Sequence, residues 1–205
     1  CDNTNHKKIV FVQNKEVSEK LLEFRETYFP ELIVESKDSN IVNGVASSYY
    51  GVSSVGSAIH RSKYENGGDF PDFLLKLTLK AFRNKYSQQK FDYVCYVPPT
   101  ESGDLVKSFA EKLSIVLKIP ITHKLKKISV TKPQKIFQNS YLKKDNVKGV
   151  FRYENPSEMK SKSILLLDDI FDSGATIKEI GNLLTSYGAK TIAPIVIART
   201  VGGDI

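Results

Sequence analysis

The chain has 205 residues, of which 40% are hydrophobic and 26% charged, with a formal net charge of +7. That length holds one domain, or one domain with a small appendage, and the composition supports a packed core rather than disorder. Twelve Gly and eight Pro exclude collagen-like and low-complexity chains, and no apolar run approaches the roughly 18–20 residues that a membrane helix needs.

In chain order, residues 8–13 (KIVFVQ) read as a short strand and 16–29 as a helix with Val17, Leu21, Leu22 and Phe24 in a stripe, ended by Pro30. Residues 32–35 read as a strand. The polar, small stretch 36–48 reads as a boundary, dividing an N-terminal segment of unassigned role (1–48) from a domain (49–205). Helices are expected over 49–64, 70–86, 102–117 and 177–187, the last closed by Gly188. Strands are expected over 91–97, stopped by Pro98 and Pro99, and over 164–167 and 191–198. The strands are unbroken apolar runs alternating with helices, which predicts an α/β fold with a parallel sheet and helices on both faces. Ligands of such sheets bind beyond the carboxyl ends of the strands.

Cys1 is terminal and Cys95 lies mid-strand, so no disulfide framework or CxxC zinc site is expected, and a cytoplasmic location is. No secretory signal is read at the start of the sequence. The only methionine is Met159. The chain is therefore expected to have been processed or excised from a longer polypeptide, with excision the favoured reading.

Charge is concentrated. Residues 123–150 hold eight lysines, Lys126, Lys127, Lys132 and Lys135 among them, against the single acid Asp145. A solvated lysine-rich loop and a site for an anion, either a phosphate-rich small molecule or nucleic acid, both fit this pattern.

The chemistry is densest at 165–176, LLLDDIFDSGAT. A buried strand ends in Asp168 and Asp169, then a Ser-Gly-Ala-Thr turn opens a helix. Backbone N–H groups and the hydroxyls of Ser173 and Thr176 at a helix N-terminus favour an anion. Gly174 permits close approach. Two carboxylates suit sugar hydroxyls or a divalent cation. Phosphate on one side and vicinal hydroxyls on the other describe a ribose 5-phosphate.

The order apolar strand, Asp-Asp, Ile, two variable residues, Ser/Thr, Gly, x, Thr resembles the ribose-phosphate signature of type I phosphoribosyltransferases. AIHRSKY (58–64), TKPQ (131–134) and NVKGVF (146–151) make the chain similar to the ComF-like branch. VPPTESGDLVK (97–107) and ARTVGGD (198–204) most resemble the ComF-like domain at the C-terminal end of some bacterial RecQ-type ATP-dependent DNA helicases. No GxxxxGK[ST] loop occurs in this sequence, so a helicase motor would lie elsewhere.

The resemblance implies a type I phosphoribosyltransferase fold and a ligand such as phosphoribosyl pyrophosphate (PRPP) or a nucleotide, with Mg2+ bridging pyrophosphate and ribose oxygens. It implies that Asp168 and Asp169 hold the ribose hydroxyls, and the metal only through ligand or water. Asp172, Ser173, Gly174, Ala175 and Thr176 would hold the 5-phosphate. Pro99, Thr100, Glu101, Ser102 and Gly103 would form the pyrophosphate loop. A mobile basic loop within 126–144, with Lys126, Lys127, Lys132 and Lys135, would close over the leaving group. Asp172 stands where purine-salvage relatives carry a catalytic acid, and its carboxylate also suits a helix cap. The sequence departs from the branch in having PPTESGD where an Arg-Gly-Phe-Asn segment is usual, with no base before Lys107. The implied roles are transfer of phosphoribosyl to a nitrogenous base, or a non-catalytic sensor or DNA-contacting domain of a RecQ-type helicase. A membrane partner is not expected.

Other residues read as structural. His60 reads as a packing or surface residue, and His6 and His123 are isolated in sequence. Tyr64, Phe82 and Phe109 read as core, and Cys95 as an inert thiol. An Asp-Asp strand end also occurs in response-regulator receivers, where it closes the first strand; here only 36 residues follow Asp169.

Overall fold

The apolar runs at 164–167 and 191–198 lie side by side at the centre of a sheet, where a strand covered on both faces must be hydrophobic on both. The structure, a computed structural model, describes residues 28–51, 54–65, 68–99, 103–128 and 149–200. The strand expected over 8–13 and most of the helix expected over 16–29 lie outside them. The described elements are β1 (Glu31–Leu32), β2 (Gly44–Tyr49), α1 (Ser54–Tyr64), α2 (Asp72–Tyr86), β3 (Tyr93–Tyr96), α3 (Leu105–Leu117), β4 (Ile121–Thr122), β5 (Leu125–Lys127), β6 (Phe151–Tyr153), a 3-10 turn (Pro156–Met159), β7 (Ser163–Phe171), α4 (Ala175–Ser186) and β8 (Thr191–Arg199).

The main sheet runs β1-β2-β8-β7-β3-β4. Only β1 is antiparallel to its neighbour. One face packs under α1, α2 and α3 through Ile59, Leu74, Phe109 and Leu113 against Leu165, Leu167 and Ile195. The other packs under α4 and the antiparallel pair β5–β6 through Ile177, Ile180, Leu184, Phe151 and Tyr153 against Ile164, Leu166 and Val196. The expected mixed α/β fold, mostly parallel with helices on both faces, is thus present. Among the described residues no helix is long and apolar enough to cross a membrane.

Two corrections matter. Part of the polar stretch read as a boundary is β2, whose first four residues are buried and which pairs in parallel with the central β8; the 48/49 division falls inside this strand. Its small residues serve close packing: a Cβ on Gly44 would come within 2.5 Å of the Pro194 carbonyl oxygen. The buried Ser47 hydroxyl is satisfied by Thr78 Oγ1 at 2.9 Å and the Val196 carbonyl at 3.2 Å, so polarity costs little here. The second concerns Tyr64, expected in the core, which is exposed at the end of α1, whereas Phe82 and Phe109 are buried as expected. Cys95 is buried, and burial pushes its thiol up to about 12, which fits an inert role.

Candidate functional site at the end of the central strand

β7 outlasts its apolar run, and Asp168 is still paired with Val196 of β8, Ile170 with Ala198 and Phe171 with Arg199. Asp168 and Asp169 therefore stand within the sheet's carboxyl edge, not in a free loop. Asp168 Oδ1 accepts a hydrogen bond from the Asp169 N–H at 2.8 Å. Its carboxyl is walled by protein although its rim still meets solvent. Burial, and then the charge of Asp169, push the Asp168 carboxyl up to about 8.

Asp169 is buried and its Oδ2 contacts the ammonium of Lys63, from the last turn of α1. Burial alone would pull the Lys63 ammonium down; the charge and hydrogen bond of Asp169, with Asp168 adding, outweigh it and hold Lys63 above the ordinary lysine value. Sequence reasoning gave Lys63 no role. Its only signal was its place in the last helical turn of AIHRSKY, which says nothing about a partner 106 positions away.

The turn follows directly. Gly174 has φ +74°, and a Cβ there would lie 2.7 Å from Cζ of the buried Phe171. Both facts demand glycine. Gly174→Ala is expected to cost roughly 2 kcal/mol, read as a fall in the urea midpoint at unchanged m; an unchanged midpoint would show that the left-handed turn is not formed. Ser173 Oγ accepts from the Ala175 N–H at 3.4 Å, and the Gly174 carbonyl takes the first helical bond, from the Lys178 N–H at 2.9 Å. The remaining first-turn N–H groups of α4 have no acceptor within their own helix. Asp172 is exposed and accepts from Thr200 Oγ1 at 3.1 Å, while the Thr200 N–H bonds the Phe171 carbonyl at 2.9 Å. Thr200, also unassigned from sequence, thus ties the turn to the end of β8.

β3 pairs with β7 through Tyr93–Tyr96 and Ile164–Leu167, so its carboxyl end adjoins the same edge. There a cavity of about 550 Å³ is lined by Tyr96, Pro98, Pro99, Asp104, Lys107, Glu111, His123, Leu125, Lys126 and Lys127. The cavity brings Pro99 together with Lys126 and Lys127, which were expected in a mobile loop but stand in β5, held by antiparallel pairing with β6. Gly103 lies just before α3 with φ +60°. Thr100, Glu101, Ser102, Lys132 and Lys135 lie outside the described residues. His123, isolated in sequence, is not isolated in space: Nδ1 lies 3.1 Å from the Tyr96 hydroxyl and Nε2 3.9 Å from Glu111 Oε1. His60 is exposed beside Glu65 and Tyr64, as a surface residue. Among the described residues no three His, Cys, Asp or Glu side chains cluster to hold a metal.

The phosphoribosyl transferase domain family model matches residues 106–202, from α3 through the Asp-Asp turn and α4 past the end of β8. The DNA utilization protein YhgH of Shigella flexneri is 34% identical over 65 residues, 32% of this chain and 28% of that protein. YhgH of Escherichia coli strain K12 is 32% identical over the same length. The matched stretch spans little more than a quarter of these relatives. Among solved structures, glutamine PRPP amidotransferase from B. subtilis, complexed with ADP and GMP, is 21% identical, with 60% of this chain and 25% of that one covered at a TM-score of 0.41. Adenine phosphoribosyltransferase from Saccharomyces cerevisiae is 12% identical, with 90% and 89% covered at a TM-score of 0.44. Residues 106–202 thus match a phosphoribosyl transferase domain, and the ComF-like likeness read from the sequence has a counterpart in YhgH at low identity.

Proposed function

We propose that this chain carries a phosphoribosyltransferase-like site that binds PRPP or another ribose 5-phosphate ligand. The observation that carries the reading is the turn at Gly174: a left-handed glycine opening α4, directly after two carboxylates at the end of a central strand. In this reading Asp172, Ser173, Gly174, Ala175 and Thr176 receive the 5-phosphate through first-turn N–H groups and hydroxyls. Asp169 accepts from a ribose hydroxyl. Asp168, protonated below about pH 8, donates to one. Pro99–Gly103 and the lysines Lys126, Lys127, Lys132 and Lys135 face the pyrophosphate. Displacement at the anomeric carbon develops positive charge on the ribose, which the Asp169 carboxylate stabilises. Asp172 is the group proposed to take the proton of an incoming base nitrogen.

The side chains fit magnesium carried by the ligand rather than caged by the chain, because Asp169 is already engaged by Lys63. Asp168 and Asp169 would meet it through water or ligand hydroxyls. When bound it neutralises the leaving pyrophosphate.

A second reading is a non-catalytic sensor or DNA-contacting domain of a RecQ-type helicase in the cytoplasm. It is favoured by the loop PPTESGD, which has no base before Lys107, and by a cavity wall carrying Asp104 and Glu111 beside the lysines. Both acids oppose pyrophosphate.

Calorimetry with PRPP and magnesium tests the site. Wild type is expected to bind, and Asp168→Asn with Asp169→Asn to weaken binding by about tenfold or more, some 1.4 kcal/mol. Absence of heat with PRPP and with ribose 5-phosphate sinks the transferase and the sensor. Pyrophosphate release with a panel of nitrogenous bases separates them, since binding without release leaves the sensor.

A further inference from the structure

α1 is seated firmly. Val55, Ala58 and Ile59 pack into the core beneath it, and a Cβ on Gly56 would come within 2.3 Å of the Gly51 carbonyl oxygen. A helix held this closely aims its last turn. What it aims is Lys63, whose ammonium meets Asp169 Oδ2, with the two side chains only 13% and 9% exposed. A surface lysine samples many rotamers in water; this one has been withdrawn from it. Burying an ammonium is costly unless it is paired, and its partner Asp169 lies four residues before Ser173 of the turn read above as a phosphate site.

The Asp169 carboxylate repels a phosphate ester brought to that turn. A positive charge fixed against it removes the repulsion. An ammonium has three N–H donors, and the Asp169 contact uses one. The remaining donors match the oxygens of a sugar phosphate.

We propose that Lys63 is the built-in cation of this site: anchored by Asp169, it offsets that carboxylate and lets the turn take a sugar monophosphate without a divalent metal. The inference rests on the ribose-phosphate reading of the turn. It concerns the monophosphate end of the ligand and leaves magnesium to any pyrophosphate.

Calorimetry with ribose 5-phosphate, in EDTA and again in excess magnesium, tests it. Wild-type affinity is expected to agree within about threefold between the two conditions. Lys63→Met is expected to lose about tenfold or more in EDTA and to regain part of it with magnesium, while Lys63→Arg keeps wild-type affinity within about threefold. The magnesium response and the arginine rescue are what a purely structural lysine would not show. Wild-type binding that requires magnesium overturns the inference with no variant needed, so poor folding of Lys63→Met cannot shelter it. Unchanged affinity of Lys63→Met in EDTA also overturns it. Either result leaves the ribose-phosphate reading standing, whereas no binding of ribose 5-phosphate by wild type in any condition overturns both.

Discussion

Asp169→Ala is expected to destabilise the folded chain by about 3 kcal/mol, because it strands a charged lysine in a place water barely reaches. Asp168 sets the lower end of the usual range: with its neighbour gone, its own carboxylate ionises more readily and takes over part of the pairing with Lys63. Lys63→Met with Asp169→Asn removes both charges and is expected to recover most of the loss, since a neutral pair of similar volume needs no solvation. Urea titrations of the wild type, Lys63→Met, Asp169→Asn and the double variant close the cycle. If the double variant is as unstable as the sum of the singles, the two side chains do not meet, and the account of the site as an occupied ion pair fails.

Asp168→Asn is expected to act in the opposite direction, although the two carboxylates are adjacent. Chiefly through burial, the folded state lifts the Asp168 carboxyl from the ordinary 3.8 to about 8. Between those values the folded chain holds a proton that the unfolded chain has released. Stability from this group is therefore complete below about pH 4, declines as pH rises, and is spent above about pH 8. An asparagine keeps the acceptor for the Asp169 N–H and has no proton to hold. The variant should match wild type near pH 4 and exceed it by about 2 kcal/mol or more at pH 8, with the melting temperature about 4–8 °C higher there. A difference independent of pH would mean that this carboxyl titrates like an exposed one.

These two residues show how far the sequence reads on its own. DDIFDSGAT could be placed at a strand end and a helix start because every constraint is local: a buried apolar run, a glycine that a left-handed φ requires, hydroxyls beside the first N–H groups. The state of the two acids could not be read, because it depends on Lys63, more than a hundred residues away, and on the walls that remove water from Asp168. The cavity at β3 follows the same pattern. Pro99, Lys126 and Lys127 were assigned to pyrophosphate loops through resemblance, but the Tyr96–His123–Glu111 contacts arise because β3 and β4 run parallel and α3 lies beside them.

β2 marks the opposite failure. GVASSY lacks the apolar run that announced β3, β7 and β8, so it read as a boundary followed by the start of a helix. It is a strand because Gly44 fits against Pro194, and because Ser47 finds Thr78 and a backbone carbonyl when α2 and β8 arrive.

By itself, then, the sequence determined which stretches are hydrophobic on both sides, where the chain must turn on glycine, and which side chains crowd one strand end. These are properties of neighbours along the chain. The tertiary structure alone decided which charges face each other, which of them lose their water, and which polar segment is drawn into the sheet, because electrostatic energy and solvation depend on distance in space and not on position in sequence.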